Sequence, residues 1–193
     1  MWEIKYLKKK ELKKLFNIIE NSKWKRKYYL RDLVIFNLAY YCWLRISELS
    51  LLKLENYNKE IWQLYVKRLK GSNNSNITLD KDRKLLLNKY IRIYWIKEDK
   101  EILFKSKSWK GMIKTNIEAL TRYYKVKAKL DSFHFHMLKH SIAVHLLEIW
   151  LSIFEVKNYL WHKSINSTMI YSSFSSLMNK EMYRKINKWW LVK

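Results

Sequence analysis

Seven side chains spread along the 193 residues are of types that handle phosphate esters. Arg45 stands in Leu44-Arg45-Ile46-Ser47-Glu48-Leu49, and Lys70 directly precedes Gly71. His136, Lys139 and His140 fall within five consecutive residues, His162 follows Trp161, and Tyr171 lies nine residues beyond His162. Breaking a phosphodiester needs a nucleophile, a proton for the departing oxygen, and positive charge for the anionic transition state. A tyrosine hydroxyl, histidines, lysines and the planar fork of an arginine can supply all three.

Each residue also has a plainer reading. Tyr171 is one of 14 tyrosines, and His134 and His145 suit structural roles. His140, one helical turn after His136, suits packing or capping, and Glu48 reads as a structural partner of Arg45. A His136/His140 pair at i, i+4 spacing could bind zinc. The glutamate of a His-Glu-x-x-His site is absent, however, and the single cysteine completes no cluster, so no metal or other cofactor is expected.

Helical periodicity is clear over residues 7–20, with Leu12, Leu15, Phe16 and Ile19 on one face. Residues 31–42 are apolar nearly all round, which predicts a central helix. A further helix follows with Ser47 as N-cap. Residues 61–69 are rich in β-formers, residues 71–75 form the clearest turn, and 76–79 are β-like, so a small hairpin with Lys70 at its tip is expected. Helices are predicted over 80–95 (apolar stripe Leu85, Leu86, Tyr90, Ile93), 112–128, 136–149, 153–160, 167–171 and 177–189, with a short strand at 102–104. The expected fold is mainly α with a small β-hairpin, in one domain over residues 1–193.

Hydrophobic residues make up 49 % of the chain, enough for a sizeable core. The 40 Lys+Arg against 17 Asp+Glu give a formal net charge of +23, which favours a polyanionic partner. No apolar run is long enough to span a membrane, and the N-terminus passes directly into charged, helix-like sequence. The basic residues do not line one amphipathic helix, so a membrane surface ranks well below nucleic acid. Cys42 is the only cysteine, which permits no intrachain disulfide and fits a reducing cytoplasm.

Taken in chain order, these segments resemble the tyrosine recombinase (phage integrase) family. That family carries arginine in Gly-Leu-Arg-Ile-Ser-Glu-Leu, lysine in a Lys-Gly hairpin, then His-x-Leu-Arg-His, Leu-Gly-His, and a nucleophilic tyrosine nine residues after the last histidine. The resemblance implies the family's catalytic-domain fold and a site-specific recombinase that cuts and rejoins double-stranded DNA through a 3′-phosphotyrosyl bond. It assigns the attack to Tyr171, the phosphate clamp to Arg45, protonation of the departing 5′ oxygen to Lys70, and proton transfer and hydrogen bonding to His136 and His162. Lys139 stands where the family has its second arginine, keeping the charge and losing the fork. That loss is worth roughly 2–4 kcal/mol of transition-state stabilisation. The resemblance also implies a separate helical N-terminal domain, which residues 1–193 do not contain, and dimers or tetramers on DNA exchanging the helix at 177–190. Two rivals stand beside this reading: a non-catalytic DNA-binding relic, and DNA relaxation of the type IB topoisomerase kind.

Glycine occurs 2 times and tryptophan 10 times, where average usage predicts roughly 13 glycines. Trp43 and Trp161 occupy family glycine positions, and Trp150 falls where a helix-ending glycine is expected. This suggests that many of the tryptophans stand for codons that the source reads as glycine; the competing account is a decaying gene accumulating substitutions, which Lys139 would also fit.

Overall fold

The computed structural model describes residues 4–22, 27–68 and 73–174. The expected turn around Lys70 and Gly71, and the helix expected at 177–190, lie outside the described residues. Helices α1 (Lys9–Asn21), α2 (Tyr29–Tyr41) and α3 (Ile46–Ser50) lead into three short strands, β1 (Tyr57–Asn58), β2 (Gln63–Val66) and β3 (Ser75–Thr78). Helices α4 (Lys81–Ile93), α5 (Lys114–Lys127), α6 (Met137–Glu148), α7 (Ile153–Tyr159) and α8 (Asn166–Met169) follow.

Helix α2 is the hub. Eight of its apolar side chains, from Leu30 to Tyr40, are buried, because α1, α4 and α6 all pack against it. An apolar surface on all sides is what such a central position demands. Its buried first turn carries an ion pair: the Arg31 guanidinium donates to Asp32 Oδ1 at 2.8 Å, and Tyr124 Oη donates to Asp32 Oδ2 at 3.0 Å. Arg31 also donates to the carbonyl of Lys105 at 2.7 Å, so one paired charge ties α2 to α5 and to the loop before it. Neither charge would be tolerated there alone.

Helix α6 is the second buried rod, with Leu138, Ala143 and Val144 wholly inside. Ser141 Oγ donates to Met137 O at 2.7 Å and accepts the Leu7 N–H at 2.8 Å, tying the N-terminal segment to it. Phe36 of α2 packs edge-on to Tyr124 and beside Phe133 and Phe135, which anchors the loop that delivers His136.

The strands form one antiparallel sheet in the order β1-β2-β3, with Leu64 opposite Ile77 and Val66 opposite Ser75. The hairpin expectation thus gains a third strand at Tyr57. Three local expectations are corrected. The N-cap of α3 is Arg45, not Ser47, because the Glu48 carboxylate reaches back to accept the Arg45 N–H at 2.8 Å. The buried stripe of α4 is Leu87, Tyr90 and Ile91, while Leu85 and Ile93 are exposed. Both sets satisfy helical spacing, and packing against α2 chose between them. Ile102 makes an isolated bridge to Lys53 in place of a strand.

Candidate functional site

Helix α2 ends at Tyr41, the chain turns through Trp43 at φ 45°, and α3 begins at once with Arg45 at its N-cap. Arg45 is thereby held at the end of a rigid, buried rod with its side chain about a quarter exposed (26 %). Glu48, fully buried, organises what lies behind it. Its carboxylate accepts from Arg45 Nη1 at 3.0 Å, from the Arg45 backbone N–H, and from Arg68 Nη1 at 2.8 Å. Burial alone would raise the Glu48 pKa, but the neighbouring Arg68 charge and the donors of Arg45 outweigh it and hold the carboxyl below its ordinary value. Arg68 lies just past β2, donates from Nε to Ser75 Oγ at 2.9 Å, and is 2 % exposed in its side chain.

The start of α6 brings three more groups. His136 is its N-cap residue, Lys139 is buried one turn on, and His140 stands edge-on to His136 with ring centroids 4.7 Å apart. Burial, followed by the charges of Arg45 and Arg68, pushes the Lys139 ammonium down to about 8. Burial, with Lys139 and Arg45 next, also lowers the pKa of His136. His162, just past α7 and after Trp161 (φ 53°), lies in the same positive field. Burial, then Lys139, Arg45 and Arg68, push it down to about 4, and its Nδ1 is 2.8 Å from Thr168 Oγ1. The fold thus gathers Arg45, His136, Lys139 and His162 from three separate stretches into one electrostatic neighbourhood. Beside it opens a groove of about 970 Å³ lined by Arg45, Ser47, Lys114, Arg122, His134 and His136.

Tyr171 takes a different place. It is 1 % exposed, its hydroxyl is 2.6 Å from His140 Nδ1, and burial alone raises its pKa well above the ordinary tyrosine value. Burial, then His136 and Lys139, lower His140 to about 4, so both partners are neutral at physiological pH. The hydroxyl is therefore tucked into the protein, away from the groove. Lys70 lies outside the described residues.

Arg68 is absent from the sequence-based set, and His140 stood there with a packing or capping role. Arg68 continues the inward alternation of Leu64 and Val66, which was the available signal. His140 shares the helix face of His136, and its packing role is specific: it holds Tyr171. Among the described residues, no group of three or more His, Cys, Asp or Glu is arranged to hold a metal ion, and no helix is long and apolar enough to cross a membrane.

Comparison with known proteins gives the family and the fold. The model described as the phage integrase family matches residues 5–176. Tyrosine recombinase XerA of Pyrococcus furiosus is 30 % identical over 185 residues, which cover 95 % of this chain and 62 % of that protein. The chain therefore spans about three fifths of that relative's length. A solved structure of XerA recombinase superposes with a TM-score of 0.78 at 22 % identity, covering 96 % of this chain and 66 % of the other. The XerH site-specific recombinase bound to a palindromic difH substrate, in a post-cleavage complex, superposes at 0.75 with 22 % identity, covering 93 % of this chain and 52 % of that one. At that identity the likeness extends to the fold alone.

Proposed function

This chain belongs to the phage integrase family, and from that premise we propose that it is a site-specific recombinase that cleaves and rejoins DNA strands through a 3′-phosphotyrosyl bond formed on Tyr171. One observation supports this above the others. Arg45, His136, Lys139 and His162 converge from separate elements on one positively charged site, with Tyr171 held one hydrogen bond away from the helix that carries two of them.

In this reading Arg45 grips the non-bridging oxygens of the scissile phosphate, oriented from behind by Glu48. Lys139 adds a second positive charge without a fork. Tyr171 Oη attacks phosphorus as its phenolic proton passes to one of the neutral histidines of the site, the phosphorus–5′ oxygen bond breaks, and the departing oxygen takes a proton from Lys70. His136 and His162, neutral in the free protein, donate or accept hydrogen bonds at the phosphate. In the second half, the 5′ hydroxyl of the partner strand attacks the phosphotyrosyl phosphorus and Tyr171 leaves as the phenol, so the bond order is conserved and no outside energy source is used. Because Tyr171 is buried against His140, the segment carrying it must swing outward before it can reach a phosphate.

The net charge of +23 supports double-stranded DNA as the partner. We place the reaction in the cytoplasm, carried out by dimers or tetramers of this chain on DNA. Covalent trapping on nicked DNA from the gene's own flanks tests the reading. An adduct that survives denaturation and disappears in Tyr171→Phe, while salt-sensitive DNA binding persists, is the expected result. An adduct retained by Tyr171→Phe refutes the assignment, and DNA binding without any adduct points to the relic.

A further inference from the structure

The left-handed region of backbone space is reserved almost wholly for glycine, and a bulky side chain there is a genuine outlier. Seven non-glycine residues among those described have positive φ, and six of them are tryptophan: Trp43 (45°), Trp62 (59°), Trp95 (52°), Trp109 (60°), Trp150 (72°) and Trp161 (53°). These six are all of the tryptophans among the described residues, the other four of the ten lying at positions 2, 24, 189 and 190. By contrast Gly111, the one glycine among the described residues, is not at positive φ; it serves a close approach to Ile102.

The hydrogen bonds say why these positions turn left-handed. Four of the six are the first residue past the cap of a helix. Trp95 N–H reaches Arg92 O at 3.3 Å and Ile96 N–H reaches Ile91 O at 3.1 Å; Trp150 with Leu151, and Trp161 with His162, repeat the same paired bonds. This is the Schellman motif, whose first residue past the cap is characteristically glycine. Trp43 follows the cap of α2 with the first of these bonds, its N–H reaching Tyr40 O at 3.4 Å. The other two close hairpins. Trp109 is the third residue of a three-residue loop in which its N–H reaches Ser106 O and Ser106 N–H reaches Lys110 O, the place of the left-handed glycine in such loops. Trp62 ends the four-residue turn between β1 and β2.

The indoles gain little at these places beyond surface contacts such as those of Lys84 with Trp62 and Lys97 with Trp95. Trp95, Trp109, Trp150, Trp161 and Trp62 expose between 39 % and 72 % of their surface, which forgoes the burial that makes tryptophan useful. Trp43 is buried, and its Nε1 has no hydrogen-bond partner among the described residues. We infer that the functional protein carries glycine at positions 43, 62, 95, 109, 150 and 161, because its source reads as glycine the codon rendered as tryptophan in this sequence. Composition agrees, since the 10 tryptophans and 2 glycines together come close to the roughly 13 glycines of average usage. The inference rests on the backbone and is independent of the proposed reaction. Its bearing on the site is direct all the same. Position 43 turns the chain into Arg45, position 161 turns it into His162, and glycine at 43 removes the ring that Tyr159 and Arg68 both pack against.

Two measurements test it. Mass spectrometry of peptides from the protein purified from its source should read glycine at all six positions, encoded by one shared non-standard codon such as UGA. Tryptophan in those peptides, or UGG in the gene, overturns the inference. Separately, three recombinant versions are compared by urea unfolding: tryptophan as written, glycine at all six, and alanine at all six. Glycine loosens the unfolded chain more than alanine does, so it outperforms alanine only where φ is positive. The glycine version should have the highest midpoint. A glycine midpoint at or below that of alanine sinks the argument, and this comparison holds even if the tryptophan version does not fold.

Discussion

Substituting Glu48→Gln should be among the most damaging single changes available, although glutamine nearly matches glutamate in shape. The carboxylate has no exposed surface and accepts three hydrogen bonds, two of them from guanidinium groups. Arg45 retains some contact with water, but Arg68 is 2 % exposed and its Nη2 is already buried without a partner. Removing the negative charge leaves Arg68 desolvated and uncompensated, a situation that costs about 3–5 kcal/mol. Against a typical total stability of about 5–15 kcal/mol, that is a large share. With a urea slope of about 2 kcal/mol/M, the unfolding midpoint should fall by about 1.5–2.5 M. The double variant Glu48→Gln with Arg68→Met removes both charges and should recover most of the loss, to within about 1 kcal/mol of the parent. The pH dependence has a definite sign. Because the folded carboxyl titrates below its ordinary value, its stabilisation is complete above about pH 4.3 and is lost as pH falls through the lowered pKa. The gap between parent and Glu48→Gln should therefore narrow in acid. A loss under about 1 kcal/mol at neutral pH, or a double variant as unstable as the single one, refutes the account.

Lys139 should show the opposite sign. Its folded pKa of about 8 means that its charge opposes folding at neutral pH, and the opposition fades as pH rises from about 8 toward its ordinary value near 10.4. Lys139→Met should accordingly stabilise the free protein by up to about 3 kcal/mol at pH 7 and by little near pH 10.5 in chemical denaturation, while Lys139→Arg restores a fork and should speed DNA cleavage by as much as about 10²-fold in single-turnover assays. His140 and His162, each lowered to about 4 with burial the main cause, should make the fold acid-labile: midpoints should fall as pH drops from about 6.5 toward 4. An unfolding midpoint flat over that range would contradict their neutral burial. Phe36→Ala removes a wholly buried ring packed on Tyr124, Phe133 and Phe135, and should cost about 3–5 kcal/mol in thermal or urea unfolding.

The elements that could be read in advance are those whose signal is local and repetitive. The unbroken apolar run of α2 and the spaced leucines of α1 mark helices without knowledge of their neighbours, and the motif residues fall at the ends of α2, α6 and α7 because rigid elements are what can hold them. What stayed hidden was decided by contacts between distant segments. Two apolar stripes compete on α4, and only packing against α2 selects Leu87, Tyr90 and Ile91. Ser47 is the better N-cap by residue type, yet Glu48 is drawn back by two arginines, one of them 20 residues away. The nine-residue spacing from His162 to Tyr171 says nothing about direction, and the hydroxyl points into the protein toward His140. The glycine-like positions at 62, 95 and 109 were invisible for a related reason: a hairpin or helix end shows itself in φ before it shows in residue type, once the residue type is not the usual one.

Around Glu48, three cations share a single carboxylate: Arg45 and Arg68 bond to it directly, and Lys139 feels all three. The three cations thus stand close together, in a setting where water screens their repulsion weakly. Mutual repulsion of this kind behaves like a compressed spring, and any anion seated among the three groups releases it. Polyvalent anions should consequently act as folding ligands as well as occupants of the site. Sulfate or phosphate should raise the melting temperature more than chloride at matched ionic strength, and a DNA duplex, presenting phosphates in series, should raise it further. If DNA is the partner, as proposed, its backbone relieves the repulsion among these three cations, and the sturdiest form of the protein is the one engaged with it.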